Sequence, residues 1–252
     1  MTNLLVTRPA SQAGELVDLL AAHGIGSIAV PTVETVPARD NRPLDAALRS
    51  LGEVSWLVIT SLNGARAVLE RLAATDAAWP SSGTRLAAVG PATALALQAG
   101  GLHVDHVPSQ YRIAEIAEGL GDVHGQRLVL ARADAATPEL RDALRRRGAL
   151  VDEVVAYRTV EGPAASRDAL RTALGRSLDG ITFTSGSTVR GLRALISPLD
   201  QRRATALPAF CIGPVTAEAA RNAGFGVAVV PSEYTVAALA NAIHGYFTKG
   251  NE

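Results

Sequence analysis

The sequence predicts an α/β protein made of two similar doubly wound parallel-sheet lobes, with a cleft between them. Three observations predict it. Residues 89–120 and residues 212–243 align without a gap at a shift of 212 − 89 = 123, with thirteen matching positions that include Gly90/Gly213, Pro91/Pro214, Thr93/Thr216, Pro108/Pro231 and Tyr111/Tyr234. Two further stretches repeat at a shift of 124: the run from Leu4 over the run from Leu128, and Thr60-Ser61 over Thr184-Ser185. An offset that differs by a single residue across separate segments marks a duplicated unit. Finally, short apolar runs alternate with amphipathic stretches of about ten residues, the pattern of parallel strands with helices on both faces. With 252 residues, two lobes of about 125 fit ordinary domain size.

In the first copy the spacing predicts strands at 4–7, 27–30, 56–60, 86–89 and 104–107, and helices at 11–22, 44–51, 64–73, 92–99 and 113–120. The first helix carries Leu16, Leu19 and Leu20 at helical spacing and meets Gly24 as its stop. The second copy predicts strands at 128–131, 153–157, 180–184, 209–212 and 227–230, and helices at 138–146, 167–174, 188–196, 216–223 and 236–246. Residues 33–38 and 157–163 fall where strands crossing between lobes would lie. Strand pairing stays open: the copies are either strictly tandem, or each first β–α unit packs in the other lobe.

Bulk composition excludes several function classes. Hydrophobic residues are 48% of the chain and aromatic residues only 4%, so the cores are aliphatic. Twenty-four acidic side chains balance 24 basic ones, which argues against bulk attraction to nucleic acid or an anionic membrane. Cys211 is the only cysteine, so no intrachain disulfide or cysteine-based zinc site can form, and a reducing cytoplasm is the expected location. The start of the chain lacks the pattern of a signal peptide, and no apolar run reaches membrane-span length. Dinucleotide-binding, phosphate-loop and nucleophile-elbow motifs are absent. The five histidines (His23, His103, His106, His124, His244) are scattered and are expected at the surface, without a metal-ligand pattern.

Ligands of such sheets bind beyond the carboxyl ends of the strands, where the repeated polar residues fall. Ser61 and Ser185 each end a strand and open a helix. They suit N-caps, and the remaining amides of those helix starts suit carboxylates. Gly90-Pro91-Ala92-Thr93 and Gly213-Pro214-Val215-Thr216 use Gly for the strand exit and Pro for the first helical turn. The turn does not require the threonine, so Thr93 and Thr216 are candidate ligand contacts. Arg8 and Arg132 match at the end of the first strands, where they either clamp an anion or pair with a nearby acid. Arg112 and Arg158 are weaker candidates of the same kind. Tyr111 and Tyr234 read as rings packed under a helix start. Tyr157 has no counterpart, because Val33 occupies its place in the first copy. It is a candidate proton donor, since a phenol with an ordinary pKa of about 10 keeps its proton at neutral pH.

These motifs together resemble the uroporphyrinogen-III synthase family over nearly the whole chain. The resemblance rests on residues 5–9 (VTRP preceded by Leu5), 60–65 (TSLNGA), 89–93 (VGPAT), Pro108, Tyr111 and Glu115. In the second half it rests on 155–159 (VAYRT), 183–187 (FTSGS), 212–217 (IGPVTA) and Tyr234-Thr235. It implies a two-strand connector between the lobes, one lobe of residues 1–35 plus 160–252, the other of 38–156, and connectors at 36–37 and 157–159. It implies cofactor-free conversion of hydroxymethylbilane to uroporphyrinogen III, with loss of water and inversion of ring D, in heme biosynthesis. Tyr157 is then the catalytic residue, and Arg8, Ser61, Asn63, Thr93, Arg132, Ser185, Ser187, Thr216, Tyr234 and Thr235 are the substrate-binding set. A monomer suffices, with the upstream deaminase as a transient partner. The competing reading is a non-catalytic two-lobed protein that binds a tetrapyrrole or small anion.

Overall fold

The computed structural model describes residues 2–77, 79–80, 83–109 and 113–249, so Tyr111 and Arg112 lie outside the described residues. The first part of the chain forms β1 (Asn3–Val6), α1 (Ala10–Ala22), β2 (Gly26–Ala29), β3 (Val33–Pro37), α2 (Arg42–Arg49), β4 (Trp56–Ile59), α3 (Leu62–Thr75), β5 (Arg85–Ala88), α4 (Pro91–Ala99) and α5 (Ile113–Gly119). The second part forms β6 (Arg127–Ala133), α6 (Glu139–Arg146), β7 (Leu150–Glu161), α7 (Arg167–Leu174), β8 (Gly180–Phe183), α8 (Gly186–Leu195), α9 (Pro198–Thr205), β9 (Ala209–Cys211), α10 (Pro214–Asn222), β10 (Val227–Val229) and α11 (Val236–Lys249). The chain divides into two compact units, residues 1–34 with 160–252, and residues 35–159.

The first unit holds a five-stranded sheet ordered β10-β9-β8-β1-β2, and the second sheet is ordered β3-β7-β6-β4-β5. Strand pairing settles the tandem question. Leu4 of β1 pairs with Gly180 of β8, and Leu128 of β6 pairs with Trp56 of β4, all in parallel. These are one register written twice, since 4 + 124 = 128 and 180 − 124 = 56. Each copy therefore gives its opening strand to the sheet built by the other.

Both faces of each sheet are covered, which is why the central strands read as unbroken apolar runs. All of β4 and β8 is buried, whereas the edge strands β2 and β10 are only partly so. In the first unit Leu5, Ile181, Phe183 and Cys211 face α7, α8 and α10, while Leu4, Val6 and Phe210 face α1 and α11. In the second, Leu57, Ile59, Leu86 and Val129 face α2, α3 and α4, while Val58, Leu128 and Leu130 face α5 and α6. Period-two alternation along each strand sorts the apolar residues between these two faces.

The structure departs from the sequence reading in three places. Residues 104–107 form no strand, only a bridge from His106 to Ala87, because the Asp105 carboxylate takes the Leu86 N–H at 2.8 Å where a ladder carbonyl would otherwise sit. His106 is partly buried rather than at the surface, with its Nε2 enclosed and its ring against Gly119. Helix α9 lies outside the predicted elements, although Ser197-Pro198-Leu199-Asp200 signals it. Ser197 Oγ accepts the Asp200 N–H at 3.2 Å, and Pro198 opens the first turn.

The chain passes between units within β3 and within β7. Thr32, just before β3, and Gly162, just after β7, meet inside the first unit, where Gly162 N–H donates to the Thr32 carbonyl at 2.9 Å. The Thr32 hydroxyl donates to the Thr188 carbonyl of α8 at 2.8 Å. Helix α8 comes this close because it has Gly191 there: a Cβ would stand 1.9 Å from the Thr32 carbonyl oxygen. Among the described residues, no helix is long and apolar enough to cross a membrane.

Candidate active site

Among the described residues, the repeated polar residues singled out above lie at the carboxyl ends of the parallel strands in both units. In the second unit, Ser61 follows β4, Gly90 to Thr93 follow β5, and Arg132 and Tyr157 lie on β6 and β7. Ser61 has extended backbone and is the N-cap of α3, its Oγ accepting the Gly64 N–H at 3.1 Å. The same Oγ lies 3.0 Å from the Tyr157 hydroxyl, and both side chains are half-buried. Asn63, in the first turn of α3, donates its Nδ2–H to Thr35 Oγ1 at 3.1 Å.

In the first unit, Ser185 caps α8 in a reciprocal box with Thr188, accepting its N–H at 3.2 Å. Ser187 Oγ completes the cluster, 2.7 Å from Ser185 Oγ. Thr235 Oγ1 accepts the Ala238 N–H at 3.1 Å, so it caps the start of α11.

Three expectations change on contact with the structure, those for Thr93, Thr216 and Tyr234. Thr93 and Thr216 occupy the third helical position behind a Gly-Pro start, and both are buried at 4% and 6% exposure. They pack inward rather than stand at the helix mouth. Tyr234 is 63% exposed rather than buried. Its ring lies over Gly213, whose absent side chain leaves it room: a Cβ there would be 3.3 Å from the ring. Of the two readings left open for Arg132, the structure shows the ion pair: it is buried and donates to Glu153 Oε1 at 2.6 Å and to the Thr137 carbonyl, and so holds the strand end together. Glu153 also accepts from Arg141 at 3.2 Å. Arg8, its partner in the duplication, is looser, with contacts of 3.4 Å to the exposed Glu15 and 3.5 Å to Gln12.

A groove of about 490 Å³ in the second unit is lined by Arg39, Pro43, Asp134, Glu153, Val155 and Arg158 among others, and neither Tyr157 nor Ser61 is part of its lining. The sequence reading missed Thr35 and Glu153. The alternation along β7 places Glu153 and the strand end on view, and Thr35 stands two residues from the position matched to Tyr157. Among the described residues, no three His, Cys, Asp or Glu side chains gather in a way that could hold a metal ion.

Comparison with known proteins bears on the family and the fold. The family profile described as uroporphyrinogen-III synthase HemD matches residues 14–241. A uroporphyrinogen-III synthase of Synechococcus elongatus is 33% identical over 95% of this chain and 93% of that protein. A porphyrin biosynthesis protein HemD of Ruminiclostridium josui is 31% identical over 88% of this chain and 44% of that longer protein. In fold, a mutant uroporphyrinogen III synthase of Thermus thermophilus superposes with a TM-score of 0.67 at 19% identity, covering 99% of this chain and 100% of that one. Matched along nearly its full length by profile and by sequence, this chain belongs to the uroporphyrinogen-III synthase family.

Proposed function

We propose that the chain cyclises hydroxymethylbilane to uroporphyrinogen III, with loss of water and inversion of ring D. Family membership supports the reaction. The observation that carries the mechanism is the hydroxyl of Tyr157, on β7, held 3.0 Å from the Oγ of Ser61, just past β4; these two strands flank β6. A half-buried phenol there supplies a proton to the departing hydroxyl of the substrate, so that water leaves and an electrophilic azafulvenium cation forms; the proton released when the closed ring regains aromaticity restores the phenol. That intermediate also closes without help, but without inverting the ring. The enzyme's contribution is then geometric: it fixes the chain of pyrroles so that attack passes through a spiro species.

The substrate's carboxylates suit the capped starts of α3, α8 and α11, where unpaired amides and the helix dipole favour anions. Ser61, Asn63, Ser185, Ser187 and Thr235 lie at these starts, and Arg8 and the exposed Tyr234 add a cation and a ring. Arg132, Thr93 and Thr216 act in this reading by holding the strand ends and helix starts in shape. We assign no cofactor, a monomeric enzyme, a cytoplasmic location and supply of the substrate by an upstream deaminase.

The test is to generate hydroxymethylbilane with a deaminase, add the protein, oxidise the product and resolve the isomers. A type III porphyrin is expected. Formation of the type I isomer alone, at the rate without protein, would reject catalysis and leave the binding-protein reading.

A further inference from the structure

We propose that Ser61 is a positioning residue for Tyr157: it gives its hydroxyl hydrogen to the phenol oxygen and so leaves the phenolic hydrogen free for the substrate. Three observations lead here. A serine hydroxyl has one hydrogen and two acceptor sites. Ser61 Oγ already uses an acceptor site on the Gly64 N–H at 3.1 Å, and Tyr157 Oη lies 3.0 Å away. Accepting an N–H at the positive end of the 14-residue helix α3 polarises the serine O–H as a donor toward Tyr157 Oη, while the phenol, the more acidic of the two hydroxyls, directs its own hydrogen to an incoming acceptor.

The duplication supplies the control. Position 185 matches 61, position 187 matches 63 and position 157 matches 33, all at a shift of 124. Ser185 also caps its helix, yet its hydroxyl turns to Ser187 at 2.7 Å, and Val33 stands in the tyrosine's place. In the second unit, Asn63 is drawn away to Thr35 at 3.1 Å, which frees the Ser61 hydroxyl for Tyr157. Capping alone requires neither change. The two copies differ where a phenol has to be oriented.

This proposal rests on Tyr157 being the proton donor, so the test includes a readout that needs no substrate. In protein labelled at the tyrosine Cζ carbon, with the resonance assigned by its loss in Tyr157→Phe, Ser61→Gly should move the Tyr157 signal and Ser61→Thr should leave it near its original position. Glycine is nearly as good as serine at an N-cap, so Ser61→Gly removes the hydroxyl with little loss of the cap. In the isomer assay, Ser61→Gly should lower kcat about tenfold with KM changed by less than about twofold, as expected for a contact that acts in the chemical step. Ser61→Thr should recover most of that loss. Adding Ser61→Gly to Tyr157→Phe should cost less than about twofold more. An unmoved Tyr157 resonance in Ser61→Gly, or a full additional tenfold loss in the double variant, overturns the positioning role. A wild-type protein without type III product, but with the resonance shift intact, overturns the reaction instead.

Discussion

Arg8 and Arg132 stand at matched positions and end matched strands, yet their surroundings give them different work. Arg132 is enclosed by Glu153 and the Thr137 carbonyl, whereas Arg8 makes two long contacts among the described residues, to Glu15 and Gln12. Position in a repeat is visible in a sequence, but partners brought in from a neighbouring strand are not. The same holds for Tyr157. Its lack of a counterpart was legible, whereas the Ser61 hydroxyl beside it required the pairing of β6 with both β4 and β7. Removing the phenolic hydroxyl in Tyr157→Phe is expected to slow type III formation at least about tenfold, within the range for loss of a general acid, while the unfolding midpoint stays close to wild type. An equally fast variant would remove the proton-donor role. Cys211 gives a second residue-level expectation. It is fully buried in the core of the first unit, and burial pushes its thiol up to about 11. A rise from 9.0 to about 11 leaves about a hundredfold less thiolate at neutral pH. A thiol reagent should therefore label the native protein slowly and the denatured protein fast, and rapid native labelling would contradict the burial.

Most elements stand where the apolar spacing puts them, because strands and helices here bury full faces. Where a side chain substitutes for backbone, periodicity is silent. Asp105 ends a strand before it forms, and Ser197 starts a helix in a stretch without a strong apolar stripe. Shared glycines show the opposite case. Gly24 and Gly148 both have positive φ, 73° and 82°, directly after helices α1 and α6, which explains their survival in both copies without any ligand. Gly191 is a packing glycine of a different kind. Gly191→Ala would drive a methyl into the Thr32 carbonyl, and since the obstacle is backbone rather than a movable side chain, it should cost about 2–4 kcal/mol of stability. Denaturant unfolding measures this directly, and a loss below about 0.5 kcal/mol would show that α8 can shift away.

At the scale of the whole molecule, the duplication was plain in the sequence while the exchange of opening strands was not. Both tandem and exchanged arrangements keep every strand's apolar pattern, and only the pairings of Leu4 with Gly180 and of Leu128 with Trp56 separate them. The exchange leaves the first unit with a sheet drawn wholly from residues 1–34 and 160–252. Replacing residues 33–161 by a linker of about two to four residues should thus yield a chain that folds alone with a cooperative unfolding transition. A chain without such a transition would show that the first unit needs the second to fold.

The contact of Gly162 N–H with the Thr32 carbonyl makes this excision natural, because entry and exit share a single doorway. Topologically, residues 33–161 are a guest spliced into a host at one point. Additions or deletions inside such a guest need not shift any host strand by a single step, so lineages are free to remodel it while the host stays in register.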